Sequence, residues 1–180
     1  MTIEVSAYSP AWPDQFALAA GRLAQALQDV PLVAIEHVGS TAVPGLPAKP
    51  ILDIDVIVGR AAVRAATTRL EAAGYVHRGD LGLTDREAFD APDDDPPRHV
   101  YVCVEGTLHV RNHLAVRDAL RRDAALRERY GAVKLALAAE DGMTLARYVA
   151  GKSAVLQEVL AGSGLTAAEK ALVLRLNAAP

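Results

Sequence analysis

The chain reads as α/β (α+β): a small mixed β-sheet flanked by helices, followed by a C-terminal helical bundle. Three observations carry that reading. An N-terminal stretch and several C-terminal ones repeat apolar residues every three or four positions, the period of an amphipathic helix. Between them, residues 32–38, 51–58 and 99–104 are short aliphatic runs bounded by Gly, Pro and Ser, as strands are. The order strand, strand, helix then indicates a mixed sheet.

Composition sets the limits. A chain of 180 residues suits one domain with a substantial core, here a sheet-containing half (about 1–106) and a helical half (about 107–180). Hydrophobic residues make up 51%, which excludes a disordered chain. The net charge of −3 lacks the basic balance of a nucleic-acid binder, so no nucleic acid is expected as partner. A lone Cys103 forms no internal disulfide and fits a reducing compartment. Residues 1–4 show neither a basic start nor an apolar core, so no signal peptide is expected. No apolar run approaches the roughly 20 residues that span a bilayer. A cytoplasmic protein with no membrane partner is the expectation.

In order along the chain, Trp12, Phe16, Ala20, Leu23 and Leu27 give residues 12–28 a helical stripe, with Pro13 and Asp14 suited to the first turn. An aromatic pair at helical spacing reads as core rather than as a base-stacking surface. Val30-Pro31 ends the helix and opens a strand over 32–38. Gly39-Ser40-Thr41-Ala42-Val43-Pro44-Gly45 follows. Glycine lets the backbone approach an anion closely, and a short helical turn from Ser40 would present N–H groups and a hydroxyl to a phosphate. An ordinary turn punctuated by Pro44 and Gly45 is the plainer alternative.

The stretch 51–58 alternates Ile51, Asp53, Asp55 and Ile57 on one face with Leu52, Ile54, Val56 and Val58 on the other. The aliphatic face belongs against a core. Two carboxylates about 6.5 Å apart at the backbone, from a rise of ~3.3 Å per residue, can lean onto one divalent cation. An edge strand with one wet face is the alternative, but like charges set among Ile, Leu and Val are costly without a counter-ion. Lys49, just ahead of the strand, can lend charge to a phosphate or stay solvated.

Residues 61–73 make a helix closed by Gly74, and a short strand over 75–78 follows. Residues 79–97 read as loop, with Asp93-Asp94-Asp95 solvated and lacking calcium-loop spacing. In 99–104, Val100, Val102 and Val104 form a core face, which leaves His99, Tyr101 and Cys103 on the side of the aspartates. His99 is thus a candidate ligand or base, or a hydrogen-bonded half-buried histidine. A polar helix spans 108–122; His109 and His113 share a face but lack the glutamate of a zinc signature. Helices with stripes at Leu126, Tyr130, Val133, Leu137 and at Leu145, Tyr148, Val149, Leu156, Val159, Leu160 come next. Thr166 and Glu169 form a capping box for the last helix.

A Gly-Ser turn followed by apolar-Asp-apolar-Asp-apolar resembles the nucleotidyltransferase superfamily signature, and the whole chain resembles its GrpB family. The matching text is Glu36-His37-Val38-Gly39-Ser40-Thr41-Ala42-Val43-Pro44-Gly45-Leu46, Lys49-Pro50-Ile51-Leu52-Asp53-Ile54-Asp55, Gly74-Tyr75 and Leu114-Ala115-Val116-Arg117-Asp118-Ala119-Leu120-Arg121. The resemblance implies a nucleotidyltransferase-like fold and transfer of a nucleoside monophosphate from a nucleoside triphosphate such as ATP to an unknown small-molecule or protein acceptor. It implies Mg²⁺ or Mn²⁺ on Asp53 and Asp55, with Gly39 and Ser40 at the phosphates where the turn meets the aspartate face. It also makes Arg86, Arg117 and Lys152 candidate phosphate contacts; Arg117 could equally pair on the helix surface, and Lys152 could stay solvated. The chain departs from the pattern in one respect. A neighbouring strand often supplies a third carboxylate, and 99–104 offers none. A nucleotide-sensing or partner-binding module without transfer chemistry is the rival reading, and a phosphohydrolase using the same aspartates a third.

Overall fold

Strand register places the aspartates, so the architecture is best followed from the strand that carries them. A computed structural model describes residues 4–178 of the chain. Residues 1–3, within the stretch read as lacking a leader, lie outside the described residues. Two compact units interleave in sequence: one from 10–38 and 51–110, the other from 4–9, 39–50 and 111–178.

The first unit holds a five-stranded sheet in the order β1-β2-β5-β4-β3. Its strands are β1 (Leu32–Val38), β2 (Leu52–Val58), β3 (Val76–His77), β4 (Arg86–Asp90) and β5 (Arg98–Val104). β2 runs antiparallel to β1 and parallel to β5, while β4 runs antiparallel to both β5 and β3. The sheet is therefore mixed, as the strand, strand, helix order implies. Leu52, Ile54, Val56, Val58, Val100 and Val102 are at most 1% exposed, and alternation puts them all on one face. Helix α1 (Trp12–Ala26) lies over that face, because its Phe16 stacks on His37, the partner of Ile54 in the ladder. Its buried residues are Trp12, Ala19 and Leu23, so the inward stripe passes through Ala19 where the sequence suggests Ala20. α2 (Val63–Ala72) buries Ala66 and Leu70 and ends before Gly74, whose φ of +89° suits a residue without a Cβ. Each fully enclosed Leu here stabilises the unit by about 1.5–3 kcal/mol.

β4 corrects the sequence reading, which leaves 79–97 as loop. Arg86-Glu87-Ala88-Phe89-Asp90 has no apolar alternation, so nothing local marks a strand. Pairing with β5 makes it one, a tertiary effect that propensity does not record. The acidic segment that follows is likewise tied down rather than free. Arg98, its side chain 1% exposed, donates to Asp93 Oδ1 at 2.8 Å and to the Pro96 carbonyl at 2.9 Å. Arg22 donates to the Asp95 carbonyl at 2.8 Å.

In the second unit, segment 39–50 packs with helices. These are α3 (Leu108–Arg122, from residue 111), α4 (Ala124–Ala138), α5 (Leu145–Gly151), α6 (Ser153–Ala161) and α7 (Ala167–Ala178). Val43 and Leu46 join Leu120, Leu126, Tyr130, Val155 and Val159 in one core cluster. Asp123 and Thr144 cap α4 and α5 by accepting from Leu126 N–H and Arg147 N–H. Thr166 and Glu169 exchange the reciprocal bonds of a capping box at α7. The single helix expected over 145–160 is broken at Lys152. Gly151 sits so close to Leu137 that a Cβ there would lie 2.6 Å from Leu137 Cδ2, and glycine also weakens the helix locally. Among the described residues, no helix is long and apolar enough to cross a membrane.

Candidate functional site

In the sheet unit, parallel pairing sets Asp53 beside His99 and Asp55 beside Tyr101, and antiparallel pairing sets Asp55 beside Glu36. Paired residues share a face, so Glu36, Asp53, Asp55, His99, Tyr101 and Cys103 line one side of the sheet. The aspartates thus project together, opposite the aliphatic face, as alternation requires. Asp53 is partly exposed, and its Oδ1 lies 3.0 Å from His99 Nδ1. Asp55 is wholly enclosed, at 0% exposure.

Electrostatics on this face follow from burial beside carboxylates. The Tyr101 phenol is pushed up to about 12, first by burial and then by the Asp53 charge. Burial pushes the Cys103 thiol up as well, aided by Asp55, whose carboxylate accepts its S–H. Both therefore stay neutral near pH 7. Arg86, in register with Cys103, holds its guanidinium 4.7 Å from the Tyr101 ring centroid. β4, which the sequence hides, thereby brings Arg86 to the aspartate side.

Among the described residues, no three His, Cys, Asp or Glu side chains cluster as a metal cage. The donor set nonetheless suits Mg²⁺. That ion keeps several waters and is held by one or two carboxylates plus substrate phosphates, and Asp53 and Asp55 supply two hard oxygen donors on one face. Glu36 is the carboxylate that sequence reasoning passes over. The third acid is sought on β5, whereas the strand ladder sets one on β1 directly across from Asp55. Alternation along 32–38, with β1 antiparallel to β2, is the signal that finds it.

The helical unit contains the remaining candidates. The chain leaves β1 at Val38, the partner of Asp53, and enters Gly39 at once. Gly39 has φ 70° and ψ −169°, a region open to glycine almost alone, and Ser40–Ala42 form a short 3₁₀ turn. The helical turn expected from Ser40 is therefore present. Arg121 Nε donates to the Ala42 carbonyl at 2.9 Å, and the buried Lys134 ammonium donates to the Pro47 carbonyl. These bonds, with Val43 and Leu46 in the core, fix the segment.

A pocket of about 170 Å³ is lined by Gly39, Asn112, His113, Tyr130 and Lys152, among others. Asn112 Oδ1 is buried there without a hydrogen-bond partner among the described residues. Lys49 and Lys152 meet at one side chain: their ammonium groups lie 5.3 and 4.5 Å from the Tyr148 ring centroid. Arg117 instead turns to its neighbour, donating from Nε to Asp118 at 2.8 Å. Asp53, Asp55, His99 and Arg86 thus belong to the sheet unit; Gly39, Ser40, Lys49, Arg117 and Lys152 belong to the helical one.

The five-stranded sheet and its helices define a nucleotidyltransferase-like fold. The chain is similar to Cid1 in complex with its short product ApU, with TM-score 0.52 and 18% identity over 72% of this chain and 42% of that one. It is similar too to the GLD-2/RNP-8 complex, with TM-score 0.56 and 15% identity over 87% and 62%. At those identities the likeness is one of fold alone.

Within that class the chain belongs to the GrpB family, whose profile, described as GrpB protein, matches residues 2–162. A UPF0157 protein of Halalkalibacterium halodurans is 35% identical over 167 residues, 92% of this chain and 84% of the relative. The crystal structure of GrpB from Enterococcus faecalis superposes with TM-score 0.75 at 33% identity, over 88% of this chain and 98% of that one.

Proposed function

We propose that this protein is a metal-dependent nucleotidyltransferase, moving a nucleoside monophosphate from a nucleoside triphosphate to a small-molecule or protein acceptor. One observation carries the reading: Asp53 and Asp55 project from the same face of β2, beside the polar side chains of β5, in a nucleotidyltransferase-like fold. Asp53 and Asp55 would hold Mg²⁺ or Mn²⁺, which when bound neutralises charge on the attacked α-phosphate and aligns an in-line displacement. Gly39 and Ser40 would hold the terminal phosphates through backbone N–H groups and the Ser40 hydroxyl. Lys49 and Lys152 add positive charge, and Arg86 and Arg117 are further phosphate contacts. The orphaned Asn112 oxygen would accept from a nucleotide hydroxyl or amine in its pocket.

Chemistry then needs a proton acceptor. As the acceptor's oxygen bonds to the α-phosphorus, its proton leaves and the bond to the β-phosphate oxygen breaks, releasing pyrophosphate. His99, half exposed and held by Asp53, is the group that takes that proton; the enclosed Asp55 is less open to it. Ligand binding tests the site. At about 100 times its Kd, a nucleoside triphosphate stabilises the native state by roughly 2.7 kcal/mol. Melting midpoints with ATP, GTP, CTP and UTP should rise further with Mg²⁺ than without it, and Asp53→Asn should lose that Mg²⁺-dependent increment. Equal rises in that variant and the wild type would remove the metal site from the reading.

The full enclosure of Asp55 and the absence of a three-ligand cluster among the described residues favour a second reading, a nucleotide-sensing or partner-binding module. Such a module binds nucleotide and releases no pyrophosphate with any acceptor.

A further inference from the structure

Within the helical unit, four helices build the pocket of about 170 Å³ beside Gly39. Val116 comes from α3, Tyr130 from α4, Val149 from α5 and Leu156 from α6, so much of the wall is apolar. Asn112 stands one turn before Val116 on α3 and lines the same space. Sites for whole small-molecule ligands run to about 300–1,000 Å³. This one is smaller and has the size of one ring: an engineered apolar cavity of about 150 Å³ in another protein holds benzene. The pocket therefore takes one part of a ligand, a single six-membered ring, and leaves the rest outside.

Asn112 supplies the polar group. It lies inside a helix, where asparagine contributes little to stability, and its Oδ1 is buried without a hydrogen-bond partner among the described residues. Buried polar oxygens are nearly always satisfied, so one left open at a pocket wall calls for a donor from outside the chain. A primary amide also carries N–H groups beside that oxygen, which sets an acceptor and a donor side by side. Uracil, with N3–H next to a carbonyl, and cytosine, with an exocyclic amine next to N3, present the complementary edge. Adenine and guanine present such edges too, so hydrogen bonding alone does not choose among the bases. Volume does, because a purine carries a second, fused ring.

We propose that this pocket is a base subsite that selects pyrimidine nucleotides, with Asn112 reading the hydrogen-bonding edge and Val149 and Leu156 setting the size limit. The inference rests on the nucleotidyltransferase reading for its choice of a nucleotide as ligand, yet seating the ring needs neither metal nor transfer. Gly39 lines the same pocket, so a base held there keeps its sugar and phosphates beside the 3₁₀ turn at Ser40–Ala42.

The test is a saturation-transfer NMR titration of the full chain with uridine, cytidine, adenosine and guanosine, divalent metal chelated. Uridine and cytidine should bind about tenfold or more tighter than either purine nucleoside, the scale on which a pocket rejects a ligand too large for it. Asn112→Leu, close to asparagine in shape, should weaken uridine binding about tenfold, the loss of one buried hydrogen bond. Its unliganded melting midpoint should hold or rise, since the unsatisfied oxygen is gone; a fall would make Asn112 structural and overturn its role. Leu156→Ala widens the cavity and should raise adenosine affinity several-fold, narrowing the preference. Val149→Ala should do the same on a smaller scale, and it decides the point should Leu156→Ala fail to fold. Uridine and adenosine bound alike by the wild type overturn the proposal, as does a wild type that binds no nucleoside or an Asn112→Leu that binds uridine unchanged. Pyrimidine-selective binding in a protein that releases no pyrophosphate would support the subsite while sinking the transfer reading. Pyrophosphate released equally from ATP and UTP sinks the subsite alone.

Discussion

Leu46 is the side chain on which segment 39–50 depends, and Leu46→Ala measures how firmly it is held. Leu46 is 0% exposed and packs with Val43, Leu120, Leu126, Tyr130, Val155 and Val159, contributed by its own segment and by α3, α4 and α6. Removing it strips three carbons from that cluster and leaves a void. On one side the wall is Gly131, where a Cβ built on the backbone would lie 3.5 Å from Leu46 Cδ1, an ordinary van der Waals distance. Leu→Ala changes in such sites cost about 2–5 kcal/mol, and a wall built from three helices argues for about 3–4. At roughly 2–4 °C per kcal/mol for a chain of this length, the melting midpoint should fall by about 6–16 °C. Leu46→Met, which nearly conserves volume, should cost less than about 1.5 kcal/mol. Differential scanning calorimetry of the three proteins reads the result. A Leu46→Ala midpoint within about 1 °C of wild type would show that the segment is not anchored in this core.

Two further outcomes follow from single residues. Gly39→Ala must place a Cβ at φ 70°, ψ −169°, so it should destabilise by about 1–3 kcal/mol, and nucleotide-induced stabilisation should shrink with it; an unstrained, fully stable variant would contradict the backbone assignment. The Arg98 guanidinium holds the Asp93 carboxyl down to about 2, with a second bond from Asp95 N–H. A folded-state value below the unfolded one stabilises the protein fully above the ordinary carboxylate range and loses that stability as pH falls towards 2. Acid unfolding of Asp93→Asn should therefore be flatter than that of wild type over that window, and parallel curves would refute the pairing.

The parts of the fold visible in the sequence are those whose pattern is local. Alternation in 51–58 places Asp53 and Asp55 on one face because their neighbours leave only one side to bury, and the capping box at Thr166 is equally self-contained. The hidden parts are decided by partners distant in sequence. β4 becomes a strand only against β5, and Glu36 becomes a neighbour of Asp55 only through the register of β1. Lys49 and Lys152, more than a hundred residues apart, share a ring that no spacing rule connects to both. The break between α5 and α6 falls beside Gly151, where the close approach of Leu137 leaves no room for a Cβ, a packing demand that spacing does not record. Asp55 shows the converse: its facing is legible, while its full enclosure depends on packing that alternation does not describe.

Transfer of label from an [α-³²P] nucleoside triphosphate into an acceptor pool of metabolites and proteins, with Mg²⁺ present, is the decisive measurement. The wild type should yield one pyrophosphate per labelled product, while correctly folded Asp53→Asn and Asp55→Asn yield neither. Free phosphate in place of pyrophosphate, or undiminished transfer by both variants, would contradict the account.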